Sequence, residues 1–157
     1  MGLILRAATG ADRDALVEQF QGLNVHEDGI TGDRRRDRDA AIASLEAADA
    51  KVARSQGHAL VAEQDGAVIG HCYLTFERHP PYVTERDYAY VAELYVRPEA
   101  RSQGLGRALL AEAERLARAR GMKRMLIGVV IGNDRAQAAY QRFGFSPYTT
   151  ELIKPLD

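Results

Sequence analysis

The sequence contains a single cysteine, Cys72, so no disulfide can close within the chain and no cysteine-based zinc site can form. A cytoplasmic protein is expected. Charge of one sign is also missing: 21 Lys and Arg against 22 Asp and Glu leave a formal net charge of −1, which supplies no overall attraction to nucleic acid or to an anionic membrane. Any anion site must therefore be local. No stretch approaches 18 uninterrupted apolar residues, and Met1 to Gly10 has only a short apolar run, so neither a membrane span nor a signal peptide is predicted. Repeats, low-complexity tracts and linker-like segments are lacking, and 157 residues are expected to form one domain over residues 1–157. With 46% hydrophobic and 27% charged residues, the composition is that of a chain able to bury a core.

What is present alternates between two periodicities. Leu3 to Ala8 is a short apolar run, and Thr9-x-x-Asp12 has the form of a capping box, so a strand feeds a helix carrying Leu16, Val17, Phe20 and Leu23 at helical spacing. After the polar stretch Asn24 to Asp33, a second helix is predicted through Ile42, Leu45, Ala48 and Val52. Asp33 to Asp39 mixes four arginines with three aspartates and reads as the solvated start of that helix. His58 to Gln64 and Ala67 to Phe76 flank Asp65-Gly66, a dipeptide suited to the positive φ angles of a tight hairpin. Glu77 to Asp87 reads as a loop, and Tyr88 to Val96 as a strand apolar on both faces, fit for the middle of a sheet. Gly104 opens a helix with the stripe Leu105, Leu109, Ala113, Leu116 and Ala117, closed by Gly121. Met125 to Val130 reads as a strand, Asn133 or Asp134 as the cap of a short helix through Tyr140, and Tyr148 to Ile153 as a last strand. The expected fold is α/β, a three-layer mixed sheet flanked by helices.

The segment from Val96 to Arg107, VRPEARSQGLGR, joins the central strand to a helix N-terminus. Unpaired amides and the positive end of the helix dipole make such a place an anion site, and Gly104 and Gly106 let phosphate oxygens approach the main chain. Arg101 and Arg107 add local positive charge. A P-loop would need Lys and then Ser or Thr after the second glycine, where Arg107-Ala108 stands. A dinucleotide fingerprint would need a third small residue where Leu109 stands, and it would follow its strand directly.

The run ELYVRPEARSQGLGRALL from Glu93 to Leu110 resembles the acyl-CoA-binding motif of the GNAT superfamily of N-acetyltransferases, with Arg101, Gly104 and Gly106 at its motif positions. The family's second motif, Asn-x-x-Ala-x-x-x-Tyr followed by Gly-Phe, is matched by Asn133, Ala136, Tyr140, Gly144 and Phe145. Ser102 departs from the pattern, standing where many members have glycine. The resemblance implies acetyl-CoA as co-substrate, with pantetheine against the backbone of Leu94, Tyr95 and Val96. It implies diphosphate on the amides of Ser102, Gln103, Gly104, Leu105, Gly106 and Arg107, and a further contact from Asn133. It also implies that the Tyr88 to Val96 strand splays from its parallel neighbour, here Met125 to Val130.

Acetyl transfer to an amine needs a group to take the amine's proton and a donor for the leaving thiolate. Tyr140 takes the role of donor by resemblance; its residue type alone is equally that of a core aromatic, the reading given to Phe143 and Phe145. Glu93 is a carboxylate within an apolar strand, with Val91 and Tyr95 on its face by period-two geometry. It is read as the base, as acting through water, as a site for a substrate ammonium, or as a structural partner of an arginine. By family analogy Glu27, Asp28, Glu85 and Asp87 lie in two loops flanking the acceptor cleft and favour a cationic acceptor. His26, His58, His71 and His79 lack ligand spacing, so no metal is expected, and Cys72 is expected to be an inert core thiol. The predicted partners are a small-molecule or peptide amine and, through Tyr148 to Ile153, a second copy of the chain. A non-catalytic acyl-CoA-binding sensor and a nucleotide-binding module are the alternatives.

Overall fold

The computed structural model describes residues 2–157. Five strands form one sheet in chain order: β1 (Ile4–Ala7), β2 (His58–Gln64), β3 (Ala67–Arg78), β4 (Asp87–Val96) and β5 (Met125–Ile127). The first four pair antiparallel, and β4 and β5 pair parallel. Helices α1 (Arg13–Thr31) and α2 (Arg38–Ser55) cover one face, burying Leu16, Val17, Phe20, Ala41, Leu45 and Ala48 against Val61, Val68 and Tyr73. Helices α3 (Leu105–Ala119) and α4 (Asp134–Phe143) cover the other. There Leu109, Leu110, Ala113 and Ala117 of α3 meet Leu60, Cys72, Leu74, Ala89 and Val91. This is the expected three-layer α/β arrangement.

Local signals act where they were read. The Thr9 amide donates to Asp12 Oδ2 at 2.8 Å, and the buried Asp12 carboxylate accepts from both Arg6 terminal nitrogens at 2.9 Å, which fixes the passage from β1 into α1. Asp65 and Gly66 both have positive φ, 52° and 80°, and turn β2 into β3. Within the charged stretch read as the start of the second helix, the structure adds a cap that the sequence reading did not name: the Asp37 carboxylate accepts from the Ala40 amide at 3.2 Å.

Four segment readings are corrected. α1 does not stop before Asn24 but continues to Thr31, because Ile30 finds a packing surface on the Gly132 turn and Gly32 closes the helix with its N–H on Asp28 O. α4 runs past Tyr140 to Phe143. β5 ends at Ile127 rather than Val130, and its partner β4 runs on to Val96 paired with β3 only. Tyr148 to Ile153 forms no strand: among the described residues this segment pairs with no other, and Leu152 and Ile153 lie 93% and 88% exposed. Its Tyr148 ring is held by the Arg124 guanidinium 4.8 Å from the centroid.

Two features of β4 shape the cleft. After the Val91 and Ile127 pair the parallel ladder stops, so the β5-facing edge of residues 92–96 has no strand partner among the described residues. This is the expected splay. A bulge follows: Val91 pairs with Leu74 but Glu93 pairs with Tyr73, leaving Ala92 without a β3 partner. The bulge reverses the alternation of side chains. Val91 therefore joins the core under α3, whereas Ala92 packs with the α1–α2 core and Tyr95 reaches the backbone of Gly22 in α1. The expectation that Val91 shares a face with Glu93 and Tyr95 is overturned, since period-two counting fails across an extra residue.

Candidate active site

The cleft opens where β4 and β5 part and has a volume of about 500 Å³. One wall is the end of β4 beyond its pairing with β5, including Glu93, Leu94, Tyr95 and Val96. Its floor near α3 is the loop of Arg101, Ser102 and Gly104 with the first residues of the helix, Leu105, Gly106 and Arg107. Asn133 and Tyr140 come from the opposite wall, on and before α4. Gln103 is the one predicted site residue that does not border the cleft.

The loop is built by φ angles and by one arginine. Gly104 at φ 80° and Ser102 at φ 66° adopt left-handed conformations, turning the chain into α3. Arg101 Nε donates to Val96 O at 2.9 Å and its guanidinium lies over the Tyr95 ring, fastening the loop to the end of β4. The first intrahelical bond runs from the Ala108 amide to Gly104 O at 2.9 Å, so the amides of Leu105, Gly106 and Arg107 have no acceptor within the helix. Beyond its chain neighbours and its own helix turn, a Cβ placed on Gly104 or Gly106 would meet no protein atom within 4 Å. The space over these amides is open to a ligand.

Charge is divided along the cleft. Arg101, Arg107, Arg135 and Arg142 border it, and among the described residues none of them forms an ion pair. Most other arginines do, including Arg6, Arg78 and Arg97, while Arg86, Arg120 and Arg124 donate to backbone carbonyls. The opposite end carries Glu27 and Glu93 beside His26.

Glu93 has no arginine within ion-pair distance among the described residues, so the structural-pair reading is overturned: the bulge turns its side chain toward α1 and α2, where Glu27 and Lys51 act on it. Burial first, then the Glu27 charge, pushes its carboxyl up to about 7, with Lys51 opposing. Tyr140 packs its half-buried ring against the α3-side core and edge-on to Phe145, and burial pushes its hydroxyl up to about 12. It is therefore protonated at neutral pH. Asn133 caps α4, its Oδ1 accepting from the Ala136 amide at 3.3 Å, while also bordering the cleft.

Of the four acidic residues expected in loops around the cleft, Glu27 alone borders it, and it does so from α1. Asp28 also lies in α1, facing Arg36 and accepting from the Arg34 amide. Asp87 opens β4 in an ion pair with Arg78, and Glu85 accepts from Arg124 through its carbonyl. Among the described residues no group of three His, Cys, Asp or Glu is placed to hold a metal ion, and no helix is long and apolar enough to cross a membrane. Cys72 is fully buried and its thiol pushed up to about 12. Sequence reasoning missed Leu23 and His26, which required the full length of α1, and Arg135 and Arg142. The seven-residue spacing of those two arginines after the Asn133 cap, which places them on one helix face, was the available signal.

Comparison with known proteins supplies the family. Residues 21–145 match the model of the acetyltransferase (GNAT) family. An aminoglycoside N(6')-acetyltransferase type 1 from Klebsiella aerogenes is 30% identical over 96 residues, covering 61% of this chain and 63% of that protein. A relative from Bacillus subtilis is 31% identical over 90 residues, 57% of this chain and 54% of its own, so the matches span less than two thirds of these relatives. Among solved structures, a variant of a Bacillus halodurans protein superposes with a TM-score of 0.85 at 21% identity, covering 98% of this chain and 99% of that one. The matched region takes in the splayed strands, the two-glycine loop and α4 together, and the chain belongs to the GNAT family of acetyltransferases.

Proposed function

We propose that this chain is an acetyl-CoA-dependent N-acetyltransferase acting on a primary amine of a small molecule or peptide. The carrying observation is the parting of β4 from β5: an unpaired strand edge leads directly into open helix-terminal amides and uncompensated arginines, the complement of an extended amide chain ending in phosphates. In this reading the pantetheine amides pair with the backbone of residues 94–96, and the diphosphate rests on the amides of residues 102–107. Residues 1–157 act as one domain in the cytoplasm.

The chemistry follows from the two titratable groups flanking the strand end. The neutral amine attacks the thioester carbon, Glu93 takes the amine's proton directly or through water, and the carbon–sulfur bond breaks as Tyr140 protonates the departing sulfur. A carboxyl near 7 is matched to that task at neutral pH, and the Tyr140 phenol, pushed up to about 12 by burial, carries its proton there. Glu27 beside Glu93 favours an acceptor that arrives as an ammonium. The Klebsiella relative, named for acetylating an aminoglycoside, supports a polycationic acceptor of that kind. The exposed Leu152, Ile153 and Leu156 support association of the terminal segment with a second copy, which sedimentation tests.

Thiol release from acetyl-CoA, measured against a panel of amines, is the deciding experiment. Amine-dependent CoA release supports transfer. Tight CoA binding without turnover on any amine supports the sensor reading instead, and absence of CoA binding refutes the donor site itself.

A further inference from the structure

Arg135 stands in the first turn of α4, exposed and free of any carboxylate partner among the described residues. Its Nη2 donates to the Ser102 hydroxyl at 3.0 Å, crossing the mouth of the cleft from α4 to the two-glycine loop. Ser102 occupies the left-handed region at φ 66°, a conformation that a residue with a Cβ adopts where its surroundings hold it. The other three arginines of the cleft are placed differently. Arg101 spends its Nε on Val96 O, Arg107 lies over the Phe143 ring, and Arg142 sits two turns further along α4. Arg135 is thus the cation tied directly to the loop whose amides are open, through a neutral hydroxyl that a phosphate oxygen outcompetes as a guanidinium partner.

We propose that Arg135 recognises a phosphate group of the acyl-CoA donor, and that its bond to Ser102 holds it in place over the loop until the donor binds. The inference rests on the acyl-CoA reading given above. Donor binding then exchanges a neutral acceptor, the Ser102 hydroxyl, for an anionic one and ties α4, the helix carrying Tyr140, to the bound phosphates. Two phosphates share this chemistry, the diphosphate and the ribose 3′-phosphate.

Calorimetry with CoA and with 3′-dephospho-CoA tests the proposal on the parent, Arg135→Ala and Arg135→Gln. The position is exposed, so both variants are expected to keep the parent's melting temperature. Arg135→Ala should weaken CoA binding by about tenfold or more, the loss expected for one hydrogen bond between charged groups. Arg135→Gln keeps an N–H donor for the Ser102 hydroxyl but no charge, and should lose as much as Arg135→Ala. A loss seen with CoA alone assigns the 3′-phosphate, and an equal loss with both ligands assigns the diphosphate. Unchanged CoA affinity in Arg135→Ala overturns the proposal. So does parent-like affinity in Arg135→Gln beside a loss in Arg135→Ala, which would make the pair a structural tie. If the parent binds neither ligand, it is the acyl-CoA reading that fails.

Discussion

Replacing Glu93 by Gln should make the protein more stable and less active at once, and the stability gain should depend on pH. In the folded chain the Glu93 carboxyl titrates near 7 instead of its ordinary 4.5, chiefly because burial disfavours the charged form. The folded state therefore binds a proton that the unfolded state releases, and stability declines as pH rises from about 4.5 through 7. At about 1.4 kcal/mol per pH unit, the full penalty above pH 8 is roughly 3 kcal/mol. Gln keeps the shape and carries no charge, so the variant escapes the penalty at pH 8 and differs little from the parent at pH 4.5. For a chain of this size that difference corresponds to a melting temperature higher by on the order of 10 °C at pH 8. Turnover should drop by roughly 10²-fold, the scale of losing a positioned base. Denaturant unfolding of both proteins from pH 4.5 to pH 8 isolates Glu93, because every other titrating group is common to the pair. Stability curves that run parallel across that range would refute the reasoning, and a stabilised variant with full turnover would leave Glu93 buried for some purpose other than proton transfer.

Three further outcomes are expected. Tyr140→Phe retains the ring that packs against the α3-side core, so CoA affinity and melting temperature should hold while turnover falls by about 10²-fold; unaltered turnover on the true acceptor would make Tyr140 a packing residue. Gly106→Val places a branched side chain in space that no protein atom occupies, so calorimetry should show CoA affinity weakened by about tenfold or more in a normally folded protein, and unchanged affinity would move the diphosphate elsewhere. His71 is fully buried, stacked on Phe20 with Nδ1 on Gln19 Oε1 at 2.9 Å, and burial holds it down at about 3. The unfolded chain takes up a proton that folded His71 refuses, so stability should fall as pH drops from 6.5 toward 3; His71→Phe should flatten that slope in acid unfolding curves, and an identical slope would contradict it.

The parts of this molecule written in neighbouring residues were legible from the chain. Thr9 with Asp12, Asp65-Gly66 and Asn133 before α4 each close a hydrogen bond or set a φ angle within a few positions, so residue type and spacing suffice. The same holds for the loop from Arg101 to Arg107, whose glycines and helix start lie side by side, and for the family that those motifs indicated. Residues from distant strands decided the rest. The bulge at Ala92 arises only from how β4 pairs with β3, and it puts Glu93 on the opposite face from Val91. The length of α1 depends on Ile30 meeting the Gly132 turn, and that length brings Glu27 to the cleft. Tyr148 to Ile153 has strand-forming residues but no strand beside it, and β propensity without a partner makes no sheet. Sequence alone thus determined the elements and the chemistry of the loop. Tertiary pairing decided which side chains face one another across the cleft, because register and parting of strands are set by contacts between segments and not within them.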